Sequence, residues 1–289
     1  MDDGDRDAYL NRLGLEAEPP SVDALFRLHR AHVEHVPYET VWTQLGQPWG
    51  IDPRDSVERI TRRSRGGYCF MLNGAFSELL RALGYDVARH VGGVHGPDGA
   101  TAESMANHLV LSVSGLPADD NPEGTWYVDA GLGDALHEPL PLRAGEYRQG
   151  PFTYTLEPTP GGVADWRFTH DASGSFRAMS WQTPRVEMPA FAAKHTELST
   201  SPESMFVQFL IVQRRDAGGV DIMVGLGLRR VDGTNAKARV LTERAEWFGA
   251  LHDRFGLRFD DIEPAALDRL WAGQQAAYEK AEAARTAAQ

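Results

Sequence analysis

Residues 65 to 74 read Arg65-Gly66-Gly67-Tyr68-Cys69-Phe70-Met71-Leu72-Asn73-Gly74, and they hold the single cysteine of a 289-residue chain. Two adjacent glycines let the backbone turn sharply before it. The run after it repeats apolar residues at helical spacing, with Phe76, Leu79, Leu80 and Leu83 on one face and Gly84 as a stop. This pattern predicts a helix over Cys69 to Leu83, with the cysteine near its first residue. Unpaired N–H groups and the helix dipole at that end favour a thiolate over a thiol, and the same amides can hold an oxyanion. A second reading stands beside this one: free cysteine is among the most buried residue types and usually serves as a small core residue.

Outward from this stretch, residues 22 to 36 read as an amphipathic helix. Leu25, Leu28, His32 and Val36 recur at helical spacing, Ser21 is a fitting N-cap and Pro37 ends the run. Arg54 to Arg63 is a further helix candidate, so the first 85 residues are mostly helical in pattern. Short β-branched or alternating stretches follow, separated by Gly, Pro and Asp clusters. They are Asp86–Val94, Asn107–Val113, Thr125–Ala130, Phe152–Glu157, Trp166–Thr169, Val207–Gln213 and Ile222–Val231. Glu243–Phe255 and the Ala-rich Pro264–Ala284 return to helix. The order helices, strands, helices predicts an α+β architecture with a β-barrel-like middle.

Composition narrows the class without naming a function. At 42% hydrophobic residues the chain can bury a sizeable core. No long apolar run predicts a membrane span, and the acidic start Met1-Asp2-Asp3-Gly4-Asp5 is unlike a signal peptide. A lone cysteine makes no internal disulfide, which fits a reducing cytoplasm. The formal charge of −12 argues against nucleic-acid and acidic-membrane partners, since both depend on basic surface.

A thiolate nucleophile needs a proton partner. In Asn107-His108-Leu109-Val110-Leu111-Ser112-Val113 the alternation puts Leu109, Leu111 and Val113 on one side and His108 on the other. Asp129 ends Trp126-Tyr127-Val128-Asp129, directly before the turn Ala130-Gly131-Leu132-Gly133. If these two strands are neighbours, a His and an Asp on one rim meet the helix start that carries Cys69, as nucleophile, base and orienter. Spacing alone does not decide this, because such sets form in space and the order Cys, His, Asp arises often by chance.

At these residues the chain resembles the arylamine N-acetyltransferases. R-G-G-Y-C-F with Asn73 resembles that family's cysteine signature, N-H-L-V-L-S-V its histidine strand, and Y-V-D-A-G-L-G its V-D-V-G-F-G. Upstream, H-V-E-H-V-P-Y-E-T is similar to a helix end followed by P-F-E-N. Downstream, S-T-S-P-E-S-M-F is similar to S-T-x-P-x-S-x-F. The matches run in order from about residue 20 to about residue 260. The resemblance implies a cysteine-protease-like fold. An N-terminal helical bundle would span 1–85 and carry the nucleophile, a central β-barrel 86–195 would carry His and Asp, and a C-terminal α/β lid and helix would span 196–289.

It also implies Cys69, His108 and Asp129 as the catalytic triad, with acetyl-CoA as donor substrate, no permanently bound cofactor and a small-molecule amine as acceptor. Tyr38, Phe70, Val94, Leu132 and Gly131 are the implied substrate-binding residues, and Glu39 with Arg65 the implied ion pair holding the cysteine loop. Met71, Thr40 and Leu132 stand where the family has Glu, Asn and Phe. The last two, beside Tyr38 and Asp129, imply an altered acceptor pocket. Relatives that release polyketide chains from an acyl carrier protein as macrolactams keep the same triad. A cysteine hydrolase and a non-catalytic binding module are the remaining alternatives.

Other features have plainer readings. His29, His32 and His35 share a helix, but no Cys or carboxylate pair completes a metal ligand set, so no metal is expected. Arg229, Arg230, Lys237 and Arg239 form a late basic cluster that either meets CoA phosphates or is a solvated strand pair, and the solvated reading is favoured. Trp126, Trp166 and Trp181 read as core.

Overall fold

The computed structural model describes residues 1–234 and 238–287. It opens on a helix that the hydropathy pattern does not announce, α1 (Asp3–Leu13). Asp2 caps it by accepting the Asp5 N–H, and Gly14 closes it with φ at 69°. Next, α2 (Val22–His35) starts where Ser21 accepts the Ala24 N–H. The two-residue strand β1 (Tyr38–Glu39), the short α3 (Val41–Gln44) and α4 (Pro53–Arg63) then lead to α5 (Cys69–Ala82). This last helix is buried on nearly every face, because α1 and α4 cover one side and strands the other.

Those strands belong to one antiparallel sheet. It comprises β2 (Asp86–His95), β3 (His108–Ser114), β4 (Trp126–Val128), β5 (Leu140–Pro141), β6 (Gly145–Gln149), β7 (Phe152–Pro158), β8 (Trp166–Thr169) and β9 (Ala178–Trp181), in the order β5-β4-β3-β2-β9-β8-β7-β6. It curls into a nearly closed barrel around Val110, Tyr127, Phe152, Tyr154, Phe168 and Trp181. On β3 the alternation works as the sequence predicts. Leu109, Leu111 and Val113 pack into the helical core beside α5, and Val110 packs into the barrel. Both faces of β3 are therefore buried, and its first residue, His108, lies at the rim.

Beyond the barrel come a 3-10 turn (Met188–Phe191), α6 (Ala192–Thr200), α7 (Met205–Gln208), β10 (Ile211–Asp216), β11 (Gly219–Val224), β12 (Gly227–Val231), β13 (Arg239–Val240), α8 (Arg244–Asp253) and α9 (Pro264–Ala287). Two sequence expectations need correction here. The strand expected over Val207–Gln213 begins in a helical turn, because Ser204 accepts the Phe206 N–H and nucleates α7; extension starts only at Ile211. The single strand expected over Ile222–Val231 is a hairpin of β11 and β12. Gly225, at φ 57°, turns the chain so that Val224 faces Gly227.

A second sheet, β1-β10-β11-β12-β13, joins the helical first part of the chain to its last third, since β1 pairs with β10 (Tyr38 opposite Gln213). The backbone just before the cysteine is tied to this sheet as well, through a parallel bridge between Tyr38 and Gly67. A third core, including Val41, Trp247, Leu251 and Trp271, lies under α8 and α9.

Candidate active site

The glycine pair sets where the thiol sits. A Cβ on Gly66 would overlap the Pro37 carbonyl oxygen, and Gly67 holds φ at 109°, where a Cβ would lie 2.9 Å from that of Met71. The chain leaves this turn with Tyr68 extended as the N-cap residue and no side chain capping the helix, so Cys69 is the first residue of α5. Its Sγ donates to the Asn107 carbonyl oxygen at 3.7 Å, which sets the sulfur beside the next residue, His108.

His108 and Asp129 come together because β3 and β4 are neighbours, with Leu111 opposite Val128. The His108 Nε2 is 2.8 Å from Asp129 Oδ2. Asp129 is enclosed by donors: Tyr127 Oη also donates to Oδ2 at 3.0 Å, while Asn73 Nδ2 (2.7 Å) and the Gly131 N–H (3.0 Å) donate to Oδ1. Burial by itself would lower the His108 pKa. The Asp129 carboxylate and then Cys69, by charge and by hydrogen bond, outweigh it and raise the imidazole to about 10. The protonated form of His108 is thus favoured across the neutral range.

Two asparagines hold this row in place. Asn73, one turn after the cysteine on α5, donates to the Leu109 carbonyl at 2.6 Å as well as to Asp129, and accepts the Ala130 N–H at 2.9 Å. It staples helix, histidine strand and aspartate loop at one point. Asn107 exchanges hydrogen bonds with the Val94 backbone (2.7 and 3.0 Å), fixing the residue before His108. Neither role follows from sequence spacing; Asn73 carried only the family signature, and Asn107 gave no signal of its own.

Gly131 is where the loop presses on the helix. A Cβ there would be 2.9 Å from both the Cys69 Cα and Asn73 Nδ2. Gly131→Ala should therefore push the Asp129 loop off α5, costing about 1–3 kcal/mol of stability and a larger share of activity. Urea midpoints and initial rates on the same preparation test this, and a variant as active and stable as wild type would contradict it.

The expected ion pair is present and buried: Arg65 Nε and Nη2 meet Glu39 Oε1 and Oε2 at 3.0 and 3.2 Å. Glu39 Oε2 also accepts the Val41 N–H at 2.7 Å, and the guanidinium lies over the Trp49 and Phe259 rings. The cysteine loop is thus anchored by its own first residue.

The residues expected to line a substrate pocket spread over two cores. Phe70 is fully buried in the helical core against Tyr68 and Phe191. Leu132 packs into the barrel core and Val94 lies against it. Tyr38 adjoins Cys69; burial first and then the cysteine's charge push its phenol well above its ordinary pKa. Phe206 of α7 packs on both Tyr38 and Tyr68, at 6.4 and 5.3 Å. The thiol is only 4% exposed beneath this cover, and His108 and Asp129 less. Thr40 is fully buried and spends its hydroxyl on the backbone of Ile211 (2.9 Å to N) and Phe209, holding the start of β10. Met71 is likewise buried, under Gly67.

The histidines of α2 are structural. His29 Nδ1 donates to the His137 carbonyl (3.0 Å), His32 Nε2 meets the Tyr9 hydroxyl (2.8 Å) and His35 Nδ1 donates to the Ala31 carbonyl (2.8 Å). No grouping of metal-ligand type occurs among the described residues. Burial lowers His29 to about 4 and His32 to about 3, so both are neutral in the fold. Their unfolded forms protonate near pH 6.5, so the unfolded state gains protons first as pH falls. Stability should drop by about 2 kcal/mol per pH unit between pH 6 and 5. Urea midpoints across that range would show it; a flat profile would contradict it.

The late basic cluster is not simply solvated. Arg230 is ion-paired with Asp216 (2.8 Å) and Asp221 (3.4 Å), and Arg239 with Glu246. Lys237 lies outside the described residues. Among the three tryptophans expected in the core, Trp126 and Trp181 are buried and Trp166 packs against the barrel core.

Comparison with known proteins agrees with this architecture. The model of the N-acetyltransferase family matches residues 21–263. Over 281 residues the chain is 30% identical to an arylamine N-acetyltransferase of Mycobacterium tuberculosis, covering 91% of this chain and 93% of that one. A stretch of 149 residues is 34% identical to the arylamine N-acetyltransferase of Mycolicibacterium smegmatis, spanning about half of each chain (50% and 53%). Among solved structures, that of Mycobacterium marinum arylamine N-acetyltransferase in complex with CoA superposes with a TM-score of 0.80 at 26% identity, covering 92% of this chain and 97% of that one.

Proposed function

The chain belongs to the arylamine N-acetyltransferase family, an acetyl-CoA-dependent family of acyltransferases, and we propose that its acyl transfer runs through a thioester on Cys69, with His108 as base and acid and Asp129 as its orienter. The observation that carries this reading is the buried His108–Asp129 contact at 2.8 Å, with Cys69 beside it at the uncapped start of α5. The CoA complex of the Mycobacterium marinum relative supports acetyl-CoA as the donor.

In the first half-reaction the Cys69 sulfur, its proton held on His108, adds to the thioester carbonyl. Collapse expels CoA, whose sulfur receives the proton from His108. One thioester replaces another, so the step is close to thermoneutral and suits sulfur. In the second, the arylamine or hydrazine nitrogen adds to the acyl carbon and gives up a proton through His108, while the Cys69 sulfur leaves. Amide formation makes this step downhill. Asp129 keeps one nitrogen of His108 protonated and aimed, leaving the other for sulfur and then amine.

Water would compete with the amine for the acyl-enzyme. The cover of Tyr38, Tyr68 and Phe206 keeps the thiol dry, and its opening admits substrates. The substrate-binding role of Tyr38 rests on its place beside Cys69. Phe70, Leu132 and Val94 act by shaping the walls behind it, and Gly131 acts by letting the Asp129 loop close on the helix.

Initial rates with acetyl-CoA and an aniline varied together test the scheme. Parallel double-reciprocal lines are expected, since CoA departs before the amine reacts; intersecting lines would overturn it. An amide synthase taking its acyl chain from a carrier protein would show no turnover with this pair.

A further inference from the structure

We propose that Tyr127 is a positioning residue that sets how strongly Asp129 supports the His108 imidazolium, and so sets the alkaline limit of the pH range in which Cys69 is acylated. The inference rests on the Cys69–His108–Asp129 reading above and adds to it a residue outside the triad. Tyr127 and Asp129 are two positions apart on an extended segment, so their side chains lie on the same face. The Tyr127 hydroxyl donates to Asp129 Oδ2 at 3.0 Å, the same oxygen that meets His108 Nε2 at 2.8 Å. Two donors thus share one carboxylate oxygen, and only one of them belongs to the triad.

The rest of Tyr127 gives that hydroxyl little freedom. The ring is fully buried in the barrel core and stacks on Trp181 with centroids 4.8 Å apart and planes 19° from parallel. Phe168 closes another side at 5.7 Å. In so apolar a setting phenylalanine fills almost the same volume without a hydroxyl to desolvate. The hydroxyl's partner is the catalytic carboxylate, and this is what makes it functionally significant. Burial, reinforced by the Asp129 charge, raises the phenol well above its ordinary pKa, so it remains an O–H donor throughout the working range.

Each donor on Oδ2 draws negative charge away from the imidazole. Removing the phenol hydroxyl concentrates that charge on the His108 side, which strengthens the imidazolium and moves its deprotonation to higher pH. Other groups face the row as well. Cys69 meets His108 from α5, and Tyr38 faces Cys69 as a neutral phenol. His29 of α2 approaches Asp129 but stays neutral above about pH 4. None of them donates to Oδ2.

The test is the pH dependence of Cys69 acylation in single-turnover mixing with acetyl-CoA, read as CoA release. In Tyr127→Phe the alkaline limb should move up by about half a pH unit. Replacing Tyr127 by 3-fluorotyrosine, a stronger donor of similar size, should move it down, and this variant keeps the test open if the phenylalanine variant folds poorly. A merely structural tyrosine would change melting temperature and leave the limb where it is, which would overturn the inference while sparing the triad. Absence of acylation in the wild type would overturn the triad reading and this inference with it.

Discussion

Cys69→Ser is expected to reduce acetyl transfer by on the order of 10⁴-fold or more while unfolding within about 1 kcal/mol of wild type. The two side chains differ by one atom, and the site asks little of the sulfur structurally. It makes one long contact with the Asn107 carbonyl, and the helix start around it is held by Asn73 and by the Glu39–Arg65 pair. What serine lacks is chemical. Its hydroxyl is far harder to ionise beside His108, and its ester with an acetyl group is a poorer acyl donor than a thioester. A variant that is unstable, or one that retains a tenth of the activity, would contradict this account of the thiol.

Asp129→Asn should be nearly as severe, about 10³–10⁴-fold in turnover, and it should also destabilise the fold. The wild-type carboxylate accepts from four donors: His108, Tyr127, Asn73 and Gly131. An amide has one oxygen to offer, so its NH₂ must face donors on the other side. Either the His108 side or the Asn73–Gly131 side loses an acceptor in a buried site, at a cost of about 1–3 kcal/mol. If the amide nitrogen turns toward His108, it selects the tautomer with its proton on the nitrogen that should face sulfur. The combined loss of rate and urea midpoint separates this outcome from simple charge removal.

Much of the site was legible in the sequence because its local constraints are local in sequence as well. Gly66-Gly67 before an apolar periodic run marks a tight entry to a helix, and alternation in β3 assigns His108 to a side of its strand. The family resemblance then chose the triad from among readings that spacing left open. What spacing could not carry was the support. Asn73, Asn107 and Tyr127 act through partners 36, 13 and 2 positions away, and only folding shows which backbone or carboxylate each one meets. Even the near pair, Tyr127 and Asp129, reads as a buried aromatic in a strand until the shared oxygen is seen.

The fold divides the same way. Ser21, Pro37 and Gly84 punctuate helices that the pattern located well. By contrast, α1 has few buried residues and an acidic composition, so its Asp2 cap and Gly14 stop flank an apolar stripe too weak to mark a helix. Ile222–Val231 looks like one strand because its apolar residues run on past Gly225 and Gly227. Which of them turns the chain shows only in the pairing of β11 with β12, where Val224 lies opposite Gly227. The tie between β1 and β10 joins residues near 38 to residues near 213, a contact no local signal announces.

Mass spectrometry of the intact protein after mixing with acetyl-CoA alone, followed by peptide mapping, tests the central claim most directly. One acetyl group on the peptide carrying Cys69, lost on adding an aniline, is the predicted result. An unmodified protein, or an acetyl group on any other residue, would contradict it.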